Sequence, residues 1–278
     1  NSKNFNELLP LFSLYIFTGY RILPAFQIIF NSLSSIIGNI DSLKIIKEVN
    51  YKDDDSPKKN ANTFTSNEIV VKNLNFNYGN KSIFKKFSIN LEENSKIFIS
   101  GNSGSGKSTL IDIITGLTEI DDNTIEIGNL EINKNKALIR NNICLVPQNS
   151  IFIDDSIASN IDILGYFDSK FNETEINNAL VKSCMHRKVT SFKNGIYEKI
   201  GGNSGNLLSK GEMQRLAITR CFFENKRIIV LDETTSNIDS ATELEIIKNL
   251  INLKNSTVLF ISHRTENKKF FEKHLEIK

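Results

Sequence analysis

The amino-acid sequence predicts an α/β domain with a largely parallel β-sheet, preceded by a long helix. From about Glu68 onward, short apolar runs typical of buried strands alternate with segments of helical periodicity. A stretch rich in glycine and serine, GNSGSGKS, separates one of these strands from the helix that follows it. The N-terminal part instead carries the most apolar stretch of the chain. The order of these patterns predicts a helical segment first and a single α/β domain after it.

Composition and charge exclude several classes of protein. The 278 residues suffice for one or two domains, and the formal net charge is only +2. This near-neutral balance gives no basis for a nucleic-acid-binding surface, so we expect no nucleic-acid partner. The three cysteines form no CxxC pair, which argues against a metal site or a disulfide framework and indicates a reducing compartment. Because the chain begins with Asn1 and lacks a basic leader, we expect it to start partway through a longer polypeptide.

The stretch Leu8–Phe30 is about as long as a membrane-spanning helix requires, roughly 20 residues. It also contains Arg21 and two prolines, so two interpretations remain open: a membrane span, or an amphipathic helix packed on another subunit. Apolar positions from Asn31 to Val49 keep helical spacing and predict that the helix continues into water. The polar segment Tyr51–Asn67 is broken by Pro57 and is typical of a linker. The predicted organisation is therefore residues 1–50, a linker at 51–67, and a domain at 68–278.

The strands of the second domain are predicted from apolar patterns. In EIVVKNLNFNYG, alternating apolar residues that end at Tyr78 indicate a half-buried strand, and Gly79 supplies a turn. Further strands are predicted at Ser82–Leu91, Lys96–Ser100, Ile143–Val146, Arg227–Leu231 and Thr257–Ser262. Helical segments between these runs favour parallel pairing of most of the strands.

The stretch Gly101–Ser108 fits G-x-x-x-x-G-K-[ST] at every fixed position, and it lies between a predicted strand and a predicted helix. Its glycines allow backbone N–H groups to point inward at an anion, beside a helix N-terminus near Lys107. Lys107 offers a positive charge to β- and γ-phosphates, and Ser108 offers a hydroxyl to Mg²⁺. The alternative is a glycine-rich loop before an ordinary helix, but it leaves the lysine and hydroxyls in register unexplained. The residues predicted here to bind the phosphates of the nucleotide cofactor are Gly101, Asn102, Ser103, Gly104, Ser105, Gly106, Lys107, Ser108 and Thr109.

The run IIVLDE, Ile228–Glu233, consists of four apolar residues followed by two acids. A buried strand that ends in carboxylates places them at the carboxyl edge of the sheet, where open α/β folds bind ligands. Asp232 is predicted to hold Mg²⁺ through water, and Glu233 to orient or deprotonate the attacking water. An Asp-Glu pair after a strand is a weak signal alone, but together with the phosphate loop it becomes a strong one.

With these motifs in order, the chain resembles the nucleotide-binding domain of an ATP-binding cassette (ABC) transporter, joined to the end of its membrane domain. The resemblance extends from about Glu68 to the C-terminus. LLSKGEMQR is similar to the family signature L-S-G-G-Q-x-Q-R, and the matching positions are Leu208, Ser209, Gly211, Gln214 and Arg215. The implied fold is a P-loop NTPase cassette with a mainly parallel core sheet, an antiparallel β subdomain and a helical subdomain, preceded by a transmembrane and cytosolic helix.

The resemblance also implies roles for residues that carry no signal alone. Gln148 in VPQN matches the Q-loop, at the catalytic and Mg²⁺ centre, and His263 in FISHR matches the switch histidine. Tyr78 stands where the family stacks an aromatic ring on adenine, and SNID, Ser236–Asp239, resembles the D-loop. Two signature residues would contact the γ-phosphate bound by the other subunit: Ser209 and Gly211.

The sequence departs from the family pattern at three places. Lys210 replaces the first signature glycine and either adds positive charge near a γ-phosphate or points outward into solvent. Glu212 replaces the signature glutamine, and the loop Gly202–Gly205 lacks the acid that the family often carries. The chain after His263 is shorter than the family usually has, so we expect the C-terminus to be cut.

The implied function is the ATP-hydrolysing subunit of an exporter-type half-transporter in the cytoplasmic (inner) membrane, with its cassette in the cytosol. Two such chains, most simply a homodimer, would close head-to-tail around two ATP–Mg²⁺. IFIDDSIASNI resembles an exporter pattern, and Tyr20–Pro24 has a weak similarity to lipid-linked oligosaccharide flippases. The expected cargo is a lipid-linked glycan, a lipid or a peptide. Two alternatives stay open: a soluble ABC ATPase with a regulatory or nucleic-acid-associated role, and a nucleotide-binding module that no longer cycles.

Overall fold

A computed structural model describes the chain at residues 2–50, 64–79, 81–168, 170–201 and 208–277. The chain divides into two compact units, Asn1–Ser56 and Pro57–Lys278. Most of the predicted linker and the loop Gly202–Gly205 lie outside the described residues. The boundaries proposed at residues 50 and 67 remain predictions.

The described residues of the first unit form one continuous helix, α1 (Ser2–Asn50), as predicted. Pro10 and Pro24 lie within the helix without ending it. From Pro10 to Ile40 every side chain is exposed, including large apolar ones such as Phe12 and Phe30. By length and composition, Pro10–Ile40 is the one described helical segment that is apolar enough to cross a membrane. A helix with apolar residues on all sides needs lipid or protein around it.

The second unit contains strands and helices in alternation. Its described strands are β1 (Ile69–Tyr78), β2 (Lys81–Leu91), β3 (Lys96–Gly101), β4 (Ile125–Ile127), β5 (Leu130–Glu131), β6 (Ile143–Val146), β7 (Asp155–Ser156), β8 (Lys199–Ile200), β9 (Ile228–Asp232), β10 (Thr257–Ile261) and β11 (Lys273–Ile277). Its described α-helices are α2 (Lys107–Ile114), α3 (Lys136–Arg140), α4 (Ile157–Ile161), α5 (Ile163–Asp168), α6 (Glu173–Lys182), α7 (His186–Thr190), α8 (Lys210–Glu224) and α9 (Ser240–Ile251). Short 3₁₀ turns occur at Gly195–Tyr197 and Thr265–Phe270.

The core is a five-stranded parallel sheet with strand order β11-β3-β10-β9-β6. Every residue of β10 is buried, as is every residue of β9 except Asp232 at its end. Burial on both faces explains why these strands are continuous apolar runs in the sequence. The loops that follow β3, β6, β9 and β10 therefore leave the sheet at the same carboxyl edge.

Two smaller parts complete the cassette architecture that the resemblance implied. Strands β2-β1-β4-β5 form an antiparallel sheet, whose β1 pairs with both β2 and β4. Helices α4, α6 and α7 share a separate apolar core that includes Ile157, Ile176, Leu180 and Val189. The predicted fold class is confirmed.

Candidate active site

A cavity of about 460 Å³ lies at the carboxyl edge of the parallel sheet, where the predicted site residues come together. Its lining residues are Tyr78, Lys81, Ile83, Ser103, Gly104, Gly106, Lys107, Ser108, Thr109, Gln148, Glu233 and His263. Lys81 and Ile83 are additions that no sequence motif indicated; they are the first and third residues of β2. Six predicted residues are not among those that line the cavity: Gly101, Asn102, Ser105, Asp232, Ser209 and Gly211.

The phosphate loop has little room for side chains where it meets α2. Gly106 has a left-handed φ of 103°, and a Cβ added there would approach Ile83 Cγ2 to 2.7 Å. Lys107 is buried, and its Nζ donates to the carbonyl oxygens of Gly101 (2.9 Å) and Asn102 (3.0 Å). The Ser105 hydroxyl is buried and has no hydrogen-bond partner among the described residues. An inward lysine and an unsatisfied buried hydroxyl fit a loop that binds phosphate.

Ser108, which lines the cavity, and its hydrogen-bond partner Asp232 form a pair that fits a magnesium ion. Ser108 Oγ donates to Asp232 Oδ2 over 3.0 Å. Burial raises the pKa of the Asp232 carboxyl, the charges of Glu233 and Asp112 add to this, and the Ser108 hydrogen bond opposes it. A bound cation would offset the cost of keeping this carboxylate ionised. Hydroxyl, carboxylate and amide oxygens are ligands that Mg²⁺ accepts, and Gln148 supplies the third type.

Glu233 follows β9 and is held by residues from two other loops. Its Oε1 lies 2.6 Å from His263 Nε2, and its Oε2 accepts a bond of 3.3 Å from Gln148 Nε2. The backbone of Glu233 adopts a left-handed φ of 52°, which is uncommon for a non-glycine residue. Its N–H donates to the carbonyl of Ile261 on β10 over 3.1 Å. The carboxylate is thus fixed at the sheet edge, in a position to orient or deprotonate a water molecule.

Tyr78 ends β1 at the rim of the cavity. Its side chain is exposed, and its ring meets the Phe76 ring edge-on, with centroids 5.0 Å apart. This contact supports the ring from one side. The exposed remainder is suited to stacking on a flat aromatic base.

The signature segment starts α8 with a capping box, and Glu212 is one half of it. Ser209 Oγ accepts from the Glu212 N–H (3.3 Å), while Glu212 Oε2 accepts from the Ser209 N–H (2.8 Å). Lys188 Nζ lies 3.1 Å from the other Glu212 oxygen. Burial acts to raise the pKa of Glu212, but hydrogen bonds from Ser209 and Lys188 outweigh it and lower the pKa. The pattern Ser-x-x-Glu could have indicated this cap from sequence.

The residues around Gly211 bring α8 against the D-loop. A Cβ at Gly211 would approach the carbonyl oxygen of Asn237 to 2.5 Å, so only glycine allows this packing. Lys210 is exposed and lines a second cavity, of about 250 Å³, together with Gln148 and Ser236. Its side chain makes no ion pair with any described residue. Ser209 and Gly211 are not among the residues that line the cavity at the phosphate loop of their own chain.

Comparison with known proteins agrees with this geometry. ABC transporter ATM1 of Plasmodium falciparum (isolate 3D7) is 35% identical over 210 residues, which are 75% of this chain and 20% of that protein. The ATP-dependent lipid A-core flippase of Blochmanniella pennsylvanica (strain BPEN) is 36% identical over 207 residues, 73% of this chain and 35% of that protein. The chain thus spans only about a fifth to a third of the length of these two curated relatives.

A solved structure and a family model complete the comparison. The structure of a bacterial Atm1-family ABC exporter with ATP bound matches with a TM-score of 0.77, over 95% of this chain and 46% of that one. At 23% identity this likeness shows the fold alone. A family model described as ABC transporter matches residues 84–236, more than half of the chain. The matched span contains the phosphate loop, Gln148 and Glu233, and the chain belongs to the ABC transporter family.

Proposed function

We propose that the chain is the ATP-hydrolysing cassette of an ABC exporter half-transporter, together with its last membrane-spanning helix. The observation that carries this proposal is the single cavity that unites the phosphate loop with Glu233, Gln148 and His263. Each of these comes from the end of a different parallel strand. Such convergence at a sheet edge is where α/β folds perform their chemistry.

The predicted site residues have distinct roles in this proposal. Lys107 and the loop amides bind the β- and γ-phosphates, and the Tyr78 ring stacks on adenine. When bound, Mg²⁺ neutralises phosphate charge, and Ser108, Asp232 and Gln148 would hold it. Glu233 accepts a proton from the water whose oxygen bonds to the γ-phosphorus, as the bond from that phosphorus to the ADP oxygen breaks. His263 keeps the Glu233 carboxylate in place.

The cavity of a single chain lacks the signature residues, which supports a dimer. Ser209 and Gly211 are absent from the lining of the cavity, although the family resemblance assigns them to the γ-phosphate. A second copy in a head-to-tail arrangement would supply them. Closure is then favourable while the γ-phosphate bridges both chains, and its loss would open the dimer and move the membrane helices.

The exposed apolar segment Pro10–Ile40 supports a membrane location. We assign the protein to the cytoplasmic membrane, with the cassette in the cytosol. The cargo class is a lipid, a lipid-linked glycan or a peptide, and the relative named as a lipid A-core flippase favours a lipid-like molecule.

This proposal is tested by the dependence of ATP hydrolysis on protein concentration. In detergent, we expect the rate per chain to fall on dilution below the dimer dissociation constant, because each site needs two chains. The measurement is phosphate release across a dilution series, with DNA and RNA added in parallel as a control. A rate per chain that is constant on dilution would contradict the shared site. Recovery in the soluble fraction, with stimulation by nucleic acid, would favour the soluble ABC ATPase instead.

A second test asks whether the lysine at position 210, where the family signature has glycine, impairs the cycle of ATP hydrolysis. The Lys210 side chain is exposed and lies at the N-terminal end of α8. The positive end of the helix dipole repels its charge there, which lowers stability by roughly 0.3–1 kcal/mol. We expect Lys210→Gly to change ATP turnover by no more than about twofold, as for most surface substitutions. An inactive parent with an active Lys210→Gly variant would instead identify the chain as a module that no longer cycles.

A further inference from the structure

Arg264, the residue after His263, ties the end of β10 to the D-loop. Its Nη1 donates to Glu243 Oε2 (2.6 Å) and to the carbonyl of Ile238 (3.0 Å). Its Nη2 donates to the carbonyl of Ser236 (3.1 Å). One guanidinium group therefore holds two backbone positions of the D-loop and one side chain of α9.

The partner carboxylate of Arg264 is deeply buried. The Glu243 side chain is only 2% exposed, and its second oxygen accepts from Thr235 Oγ1 over 2.6 Å. The Glu243 N–H donates to the Asp239 carbonyl, which continues the D-loop into α9. A buried ion pair that is fully hydrogen-bonded contributes little net stability compared with a neutral replacement. The ion pair is therefore informative for its geometry, which fixes the position of the Arg264 guanidinium group, and not for its contribution to stability.

The opposite side of the D-loop is bound to α8. Gln214 Nε2 donates to Ser236 Oγ (3.0 Å), and Gln214 Oε1 accepts from the Asn237 N–H (2.9 Å). The Asn237 carbonyl also packs on the backbone of Gly211. The D-loop is thus held by two elements: Arg264 bonds to the carbonyls of Ser236 and Ile238, and Gln214 of α8 bonds to the Ser236 hydroxyl and the Asn237 N–H.

These contacts form one continuous path through the cassette. Glu233 bonds to His263, the next residue Arg264 holds the D-loop, and the D-loop holds the first turns of α8. We propose that Arg264 is a positioning residue for ATP hydrolysis, which fixes the D-loop between the catalytic carboxylate and the signature segment. This inference rests on the proposed function, because it assigns the signature segment to the nucleotide of a second chain.

Arginine is the side chain that this position requires. Its planar fork reaches a carboxylate and two carbonyl oxygens at once, whereas a lysine ammonium is a point donor on a flexible stem. Arg264→Lys can keep the charge pair with Glu243 but cannot hold both carbonyls of the D-loop.

The test separates positioning from stability with a double variant. Arg264→Met/Glu243→Gln removes both charges and keeps an acceptor for Thr235, but it leaves the Ile238 carbonyl unpaired. We therefore expect the variant to stay folded, with a loss of stability that a melting curve measures as a lower melting temperature than that of the parent. For this variant and for Arg264→Lys we expect kcat to fall at least about tenfold, with KM for ATP within about twofold. The matched control is Lys72→Met/Glu126→Gln, which removes an exposed ion pair of 2.9 Å and is expected to leave kcat and KM unchanged.

The possible outcomes are distinct. Parent-like kcat in Arg264→Lys and in the double variant would overturn the positioning role alone, and the proposed function would stand. If the double variant does not fold, Arg264→Lys decides, because it keeps the buried charge paired. An increase of KM with unchanged kcat would also contradict the proposal, since it would place Arg264 in nucleotide binding. A parent without ATPase activity would overturn the proposed function together with this inference.

Discussion

Glu233→Gln is expected to lower ATP turnover at least about a hundredfold while ATP binding is retained, because a general base typically contributes a factor of 10² to 10⁴. Glutamine keeps the shape of the side chain, and its carbonyl oxygen can still accept the bond from His263, which now spans 2.6 Å to Glu233. What it loses is the capacity to take a proton from water. Phosphate release under saturating ATP measures the loss, and a fluorescent ATP analogue measures the retained binding.

The same variant should also accumulate as an ATP-bound dimer. If the γ-phosphate holds two cassettes together, a chain that cannot remove it stays closed, which size-exclusion chromatography with ATP detects. Glu276→Gln is the matched control, because Glu276 is an exposed acid on β11, at the same edge of the parallel sheet but outside the cavity. Turnover from Glu233→Gln that equals the Glu276→Gln rate would remove Glu233 from its assigned role.

The interior strands were predictable from sequence because both of their faces are buried. The apolar run Arg227–Leu231 predicts a strand whose bounds lie within one residue of those of β9 (Ile228–Asp232), since a strand covered on both sides must be apolar throughout. Strand β11 was missed for the opposite reason. Lys273–Ile277 lies at the edge of the sheet, and its residues alternate between partly exposed and exposed up to Ile277, so no apolar run marks it.

Only those parts of the site that follow from sequence motifs or from the geometry of a parallel sheet were predictable. Parallel strands deliver their carboxyl ends to one edge, so the acids after β9 and the loop after β3 had to meet. The left-handed backbone of Glu233 has no signal in its neighbours along the chain. Arg264 contacts a carbonyl that lies 28 residues earlier, at Ser236, and this contact exists only because β10 and the D-loop are adjacent in the fold.

Lys107→Met is expected to weaken ATP binding at least about a hundredfold, since hydrogen bonds to charged groups contribute roughly 1.5–3 kcal/mol each. The Lys107 ammonium is buried at the base of the phosphate loop, where it now donates to two backbone carbonyls. A triphosphate offers stronger, negatively charged acceptors at the same place. Methionine fills a similar volume without charge, so the fold should persist. Titration with a fluorescent ATP analogue measures the change in affinity.

Lys96→Met is a closely matched control, because Lys96 is a second buried lysine and lies at the other end of β3. Its Nζ also donates to two carbonyls, those of Asn94 (2.9 Å) and Ser256 (2.5 Å). Burial lowers the pKa of Lys96, and the charge of Glu272 opposes this shift. Lys96→Met leaves the carbonyl of the buried Ser256 unpaired, so it should cost about 1–3 kcal/mol of folding stability. The ATP affinity of the folded protein should not change, because this end of the strand points away from the cavity. Equal losses of affinity in the two variants would mean that Lys107 acts through folding, and would contradict its direct contact with phosphate.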